Sequence, residues 1–372
     1  LPRLDGEVQR FVHDRKEGNP APPVQGALFT RSSVWGLRIE RMRARQLADV
    51  VKRCVAGDMD IGGVCWFEHI NMIVGDMEQA LHFYCALLGF NRDESPSFHV
   101  NLGRQQLHLS VGEAQVLPGS VGLAVPSLAA VAGRIAAARL VLSGTCFEVL
   151  ADSGMLEACA GAEPFLSLQC PWGNVFHVFA AARPSASSPP RSKTKRPRLV
   201  EMQAHLDESM GVGGLPSAGL RFLEVIVSKG TIREAAAFYE EVFGAKAYLD
   251  KPSGLALISV GPSTAFVFSE GEDGAGLSAE RAATAQGVHV CIYISAFKRS
   301  YDALASRSLI WSNPRFAHLD TCGSYEEALA SRQFRFKDIL GADGTKLFEL
   351  EHETRSMRHI QFFKRINYQP VP

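Results

Sequence analysis

The chain has 372 residues, enough for two or more domains, and its 46% hydrophobic and 21% charged content is that of an ordinary globular protein. Its 39 basic residues cancel its 39 acidic ones, which removes any general electrostatic pull toward nucleic acid or a membrane surface. No apolar run reaches the roughly 18 residues of a membrane-spanning helix. The eight cysteines form no CxxC pair and predict reduced, buried thiols in a soluble intracellular protein. The sequence opens on Leu1 and not on Met, so import into an organelle is a further expectation.

Residues 1–63 read as an N-terminal extension. Asn19-Pro20-Ala21-Pro22-Pro23 predicts extended coil. Val34 to Val55 predicts a basic amphipathic helix, with Ile39, Met42, Leu47, Val50 and Val51 opposite Arg38, Arg41, Arg43, Arg45, Lys52 and Arg53. The expectation is a helix laid along the first domain with its basic face in water. Residues 64–182 follow as a first domain of two units, each a strand, a helix and three strands. The first unit has a strand over Trp66–Val74, a helix over 77–88, and strands near 92–95, 98–103 and 105–111. The second has Ser120–Val125, a helix through Leu128–Ala138, and strands near 145–149, 164–170 and 174–180.

Residues 183–218 are rich in proline, serine and basic side chains without apolar period, the composition of a linker. Within them Lys193 to Arg198 resembles a short nuclear-import signal and reads as solvated linker. Residues 219–354 form a second domain. Its third unit runs from Leu220 to about Glu270 with a helix over 232–243. Its fourth has a strand over Val288–Ile294, a helix near Lys298–Ser306 and a strand near Thr345–Glu351. Residues 355–372 are a tail offering Phe362, Phe363 and Tyr368 for packing.

The two halves repeat each other. At a constant offset of 155, Phe83-Tyr84 falls on Phe238-Tyr239, Gly75 on Gly230, Gly89 on Gly244, and His69 on Glu224. Asp76 with Gln79, and Thr231 with Glu234, each predict a capping box ahead of an apolar stripe, and Gly89 and Gly244 each predict its stop.

Strand alternation selects the residues that can do chemistry, because neighbours along a strand face opposite ways. Ile70, Met72 and Val74 make the face a helix must cover, which leaves Phe67, His69 and Asn71 opposite and gives Glu68 the wrong parity. The same reasoning leaves Gln106, His108 and Ser110 opposite Leu107, Leu109 and Val111. His177 lies opposite Phe176 and Val178, and Ser120 opposite Val121. If these strands curl into one cup, His69, His108 and His177 converge, with Asn71 and Gln106 lining the cavity. His82 and His99 read as surface groups.

FEHINMIVGDMEQALHFYCALLGF, QQLHLS, GSVGLAV and PWGNVFHVF resemble the vicinal oxygen chelate superfamily, which includes glyoxalase I, extradiol dioxygenases and antibiotic-resistance proteins. The resemblance covers residues 64–181 closely and 220–352 less so. It implies an α+β fold of four βαβββ modules forming two cupped-sheet domains, each cup built around a divalent metal. It further implies His69, His108 and His177 as metal ligands, Ser120 at the fourth position, and Zn, Fe, Ni or Co as the ion. Two positions depart from the pattern, since a glutamate is frequent where His177 stands and a histidine is common where Ser120 stands. In the second domain Glu224, His289 and Glu349 share cavity-facing parity and form a candidate second site in a degenerate copy.

These residues imply a metal-dependent isomerase, lyase or dioxygenase acting on a small oxygenated substrate. No carboxylate base is placed by the alternation argument. The other reading is a catalytically silent glyoxalase-like subunit that binds protein partners through residues 1–63 and 183–218. Nucleic acid is expected in neither case.

Overall fold

The computed structural model describes residues 43–48, 62–93, 98–152, 163–181, 218–271, 285–318 and 320–362. Most of the predicted extension helix, the linker with its Lys193–Arg198 run, and Phe363 and Tyr368 lie outside these residues. Within the extension, residues 43–48 are helical. No helix among the described residues is long and apolar enough to cross a membrane.

Four units built on a strand–helix–strand plan follow one another. The first has β1 (Val64–Val74), α1, β2 (Asn91–Arg92), β3 (Phe98–Asn101) and β4 (Gln106–Val111). Here α1 is α-helical over Met77–Ala80 and widens to a π-helix over Leu81–Leu87, where Leu88 N–H reaches back to the carbonyl of Phe83. The second has β5 (Gly119–Val125), α2 (Leu128–Val141), β6 (Glu148–Asp152), β7 (Phe165–Gln169) and β8 (Val175–Ala180). The third has β9 (Gly219–Val227), α3 (Ile232–Phe243), β10 (Ala247–Asp250), β11 (Leu255–Ser259) and β12 (Ala265–Glu270). The fourth has β13 (His289–Ile294), α4 (Phe297–Ala305), α5 (Tyr325–Ser331), β14 (Gln333–Leu340) and β15 (Lys346–Ser356). It thus carries a second helix where the other units carry a strand.

Capping follows the sequence in part. Asp76 Oδ1 accepts from the Gln79 N–H at 2.8 Å, and Gly244, at φ 64°, ends α3 in the left-handed conformation that a glycine adopts without a Cβ penalty. The Thr231 box does not form: the Thr231 hydroxyl donates to the Ser228 carbonyl at 2.6 Å. The full reciprocal box sits instead at α5, between Ser324 and Glu327.

The strands make two mixed sheets, in the orders β14-β15-β13-β1-β4-β3-β2 and β10-β11-β12-β9-β5-β8-β7-β6. The first unit therefore pairs with the fourth and the second with the third, through the antiparallel pairs β1–β13 and β5–β9. Glycines allow the second junction to close. A Cβ on Gly119 would lie 2.1 Å from the Glu224 carbonyl oxygen, and one on Gly122 would lie 2.3 Å from the Phe222 ring. Each sheet is assembled from strands on both sides of residues 183–218, an arrangement that periodicity within single strands does not encode.

The helices cover the outer faces and bury one continuous apolar core running from Phe83 and Tyr84 through Phe176 and Phe266 to Tyr239 and Phe336. The faces turned away from the helices carry the buried polar side chains together with separate apolar clusters, the larger around Phe165, Phe179 and Phe222. A bulge in β1 between Phe67 and His69 changes their expected order. Phe67 turns into the core, meeting Phe266 with ring centroids 5.1 Å apart, and Glu68 turns to the polar face beside His69.

Candidate metal centre and the second cup

The polar face of the seven-stranded sheet gathers side chains from β1, β4, β13, β14 and β15. The pairing register puts His69 beside Gln106 and Cys291, Asn71 beside His108 and His289, and Cys291 beside Glu353. Three donor groups meet there. His289 Nε2 lies 3.5 Å from Glu353 Oε2, His69 Nε2 lies 3.9 Å from the same oxygen, and one donor atom from each residue fits within 4.8 Å of the others. All three residues are buried.

The shell around them fixes their orientation. His69 Nδ1–H donates to Glu68 Oε2 at 3.1 Å, which leaves Nε2 for the cup. Glu68 also accepts from the Tyr293 hydroxyl at 3.2 Å and from Arg355 at 2.5 Å. Burial opposes ionisation of Glu353, but Arg355 and Arg335, with His289 and His69 beside them, hold its carboxyl well below the usual carboxylate range. Arg335 reaches Glu353 at 2.8 Å, Glu351 at 3.2 Å and Asp320 at 3.2 Å. Cys291 completes a neighbouring group with Glu68 and His69, but burial pushes its thiol well above its ordinary pKa and keeps it protonated.

Two segments close the rim. Between α4 and α5, Asn313 donates to both oxygens of Glu351, Phe316 meets the His289 ring edge-on at 5.5 Å, and Arg315 reaches Ser110 on β4 at 3.0 Å. At the other end the tail residue Phe362 packs on Trp66 and Tyr293, whose rings stack 5.2 Å apart.

The eight-stranded sheet has its own cup, with different contents. Glu224 of β9 is 1% exposed and accepts from Ser120 at 2.6 Å, from Ser269 at 2.6 Å and from Arg43 at 2.5 Å. His177 Nδ1 lies 2.7 Å from the Ser167 hydroxyl. A cavity of about 250 Å³ beside them is lined by Arg43, Ser120, Val175, His177 and Glu224 among others.

The model of the Glyoxalase/Bleomycin resistance protein/Dioxygenase superfamily matches residues 66–160, and the remaining units repeat the same strand–helix plan. Over residues 66–160 the chain is similar to this superfamily. Among solved structures it is similar to glyoxalase I from Zea mays, at 13% identity over 78% of this chain and 92% of that one, with a TM-score of 0.48. It is also similar to a putative dioxygenase from Bacillus subtilis subsp. subtilis str. 168, at 12% identity over 79% and 86%, with a TM-score of 0.43. Homoprotocatechuate 2,3-dioxygenase from Arthrobacter globiformis aligns at 15% identity over 81% and 83%, with a TM-score of 0.25. No curated protein matches the chain.

In this chain the imidazoles expected in one cup are divided between two. His69 and His108 lie on the seven-stranded sheet, their rings stacked 3.7 Å apart, while Ser120 and His177 lie on the eight-stranded sheet. The reason is the pairing of first unit with fourth, which carries the second unit's strands away. His108 Nε2 bonds to Gln106 at 2.9 Å, and His99, expected on the surface, is buried and stacked 3.7 Å from His108. The set Glu224, His289 and Glu349 is separated in the same way. Glu224 goes to the eight-stranded cup and His289 to the seven-stranded one. Glu349 keeps cup-side parity on β15 but sits at the rim, paired with Lys337 at 3.3 Å and Lys346 at 2.8 Å. Glu353, four residues further along β15, is the carboxylate that reaches the imidazoles. Alternation in FELEHETR offers Glu349, Glu351 and Glu353 alike, so parity alone could not choose among them.

Proposed function

We propose that the protein is a metal-dependent enzyme acting on a small oxygenated substrate, with its centre in the seven-stranded cup and His69, His289 and Glu353 as the ligand set. The observation that carries this reading is the convergence of two imidazoles and an ionised carboxylate, from three strands, on one buried point. Two histidines and a carboxylate suit a borderline divalent ion such as Fe²⁺, Zn²⁺, Co²⁺ or Ni²⁺. Ligand atoms about 2.0–2.2 Å from an ion stand about 3–3.5 Å apart. The 3.5 Å and 3.9 Å separations approach that spacing. Asn71, which pairs in register with His289, has an Oδ1 that is among the described buried atoms without a hydrogen-bond partner.

Such an ion supplies Lewis acidity to neighbouring substrate oxygens. The chain's own residues do the rest. Glu68 holds the His69 tautomer, Arg335 and Arg355 keep Glu353 ionised, and Phe316 and Asn313 pack on His289 and Glu351 at the rim. Glu68 is also the carboxylate that strand parity placed on the wrong face, and its contacts with Tyr293 and His69 make this cluster the candidate for moving a proton.

The silent-subunit reading has its own support, because both carboxylates at the centre already face arginine. Elemental analysis of the purified protein separates the two. The enzyme reading expects close to one divalent ion per chain, a loss of roughly tenfold or more in metal affinity in Glu353→Gln, and little change in Glu349→Gln. Protein that takes up no ion from any of the four metals supports the silent subunit and removes the enzyme reading.

A further inference from the structure

The eight-stranded cup holds a charge that it satisfies completely from within the chain. Glu224 Oε1 accepts from Arg43 Nε at 3.1 Å, from Arg43 Nη2 at 2.5 Å and from the Ser269 hydroxyl at 2.6 Å, while Oε2 accepts from Ser120 at 2.6 Å. Arg43 Nη2 also donates to the Ser269 hydroxyl at 3.1 Å. The same short segment brings apolar side chains. Ala44, Leu47 and Ala48 are 0–3% exposed and pack against the cup wall formed by Phe165, Phe179, Phe222, Leu257, Ala265 and Val267. Arg43 is the more accessible partner, at 34% exposure against 1% for Glu224. A carboxylate so deep in an apolar wall needs a cation, and the fork of a guanidinium is shaped to fill it.

We infer that the eight-stranded cup is a guanidinium site, selective for that group on an apolar stem, and that this chain fills it with its own Arg43. The site pins the N-terminal extension to the second and third units. It takes up the position that a second reaction centre would need, which divides the labour between the cups: chemistry in one, self-docking in the other. The assignment stands independently of any metal at His69, since it uses none of those residues.

Chemical rescue in the full-length chain tests it. Arg43→Ala removes the guanidinium and leaves Glu224 buried beneath a guanidinium-sized opening, so its melting temperature drops by several degrees. Ethylguanidinium chloride at on the order of 50 mM then restores at least half of the drop. Sodium chloride and urea at the same concentration do not. Glu224→Gln combined with Arg43→Ala abolishes the recovery, because the anion that selects the ligand is gone. An unchanged melting temperature in Arg43→Ala, or an equal response of wild type and both variants to ethylguanidinium, overturns the inference and makes the contact incidental. Should Arg43→Ala fail to fold, Arg43→Lys is read in its place. It retains the charge without the fork, so a melting temperature below wild type supports a guanidinium site and one equal to wild type refutes it.

Discussion

At His359 burial and charge act on a single ring. Burial first, then Arg355 and more distantly Arg332, lower its pKa to about 4 against the opposing carboxylates of Glu353 and Glu68. Its Nδ1 accepts from the Gln361 N–H at 3.2 Å, an interaction made by the unprotonated nitrogen. An unfolded histidine titrates near pH 6.5. As the pH falls below that value the unfolded chain takes up a proton that the folded ring refuses, so stability is full above about 6.5 and is lost toward 4. Partial exposure limits the effect to about 1–2 kcal/mol. Chemical denaturation at pH 7.5 and 4.5 should show this loss in wild type and a smaller one in His359→Asn, which keeps an acceptor without a titration. Equal losses in both proteins remove His359 from the account. The carboxylates nearby follow a different logic, since arginines hold Glu353 ionised and its neighbour Glu68 spans His69, Tyr293 and Arg355.

Single elements are decided by contacts that local pattern does not contain. The strand β1 alternates cleanly in sequence, yet the bulge after Phe67 reverses that residue and Glu68 and so supplies the carboxylate that alternation could not place. In β5 a glycine is required by close approach, while in α2 one is not. A Cβ on Gly122 would meet the Phe222 ring at 2.3 Å, whereas one on Gly133, exposed in mid-helix, would meet nothing within 4 Å. Gly122→Ala should therefore destabilise the protein by about 1–3 kcal/mol through overpacking at the β5–β9 junction. Gly133→Ala should stabilise it by about 0.5–1 kcal/mol through helix propensity and a less flexible unfolded chain. Thermal unfolding of the pair reads both signs, and a destabilised Gly133→Ala would contradict the open surroundings given to that position.

Over the whole molecule, the decisive fact is that each sheet joins strands from both halves of the sequence. β1 pairs with β13 over six register positions, and β5 with β9 over six more. Severing the chain inside residues 183–217 should then leave the halves bound, because the interstrand bonds and the shared core survive the cut. A protease site inserted there, followed by cleavage and size exclusion in native buffer, should give one species at the uncut mass that separates only in denaturant. Separation in native buffer would mean that the two halves fold as independent sheets. The same pairing explains why a candidate metal centre needs both halves, with His69 from one and His289 and Glu353 from the other.

What the sequence determined by itself was everything carried by short-range periodicity. The repeated strand–helix units, the Asp76 cap, the left-handed stop at Gly244 and the parity that put His69, His108, His177 and Ser120 on helix-free faces all follow from spacings of a few residues. The family resemblance rested on those same stretches. Tertiary structure alone decided which faces meet. Edge pairing joins strands more than 200 residues apart, and nothing in the alternation of β1 says whether its open edge will take β5 or β13. That choice moved His177 and Glu224 into one cup and left His69 with His289 and Glu353 in the other. It also gave the basic extension a contact that its helical pattern could not reveal, because Arg43 meets the buried Glu224 only once β9 is placed beneath it.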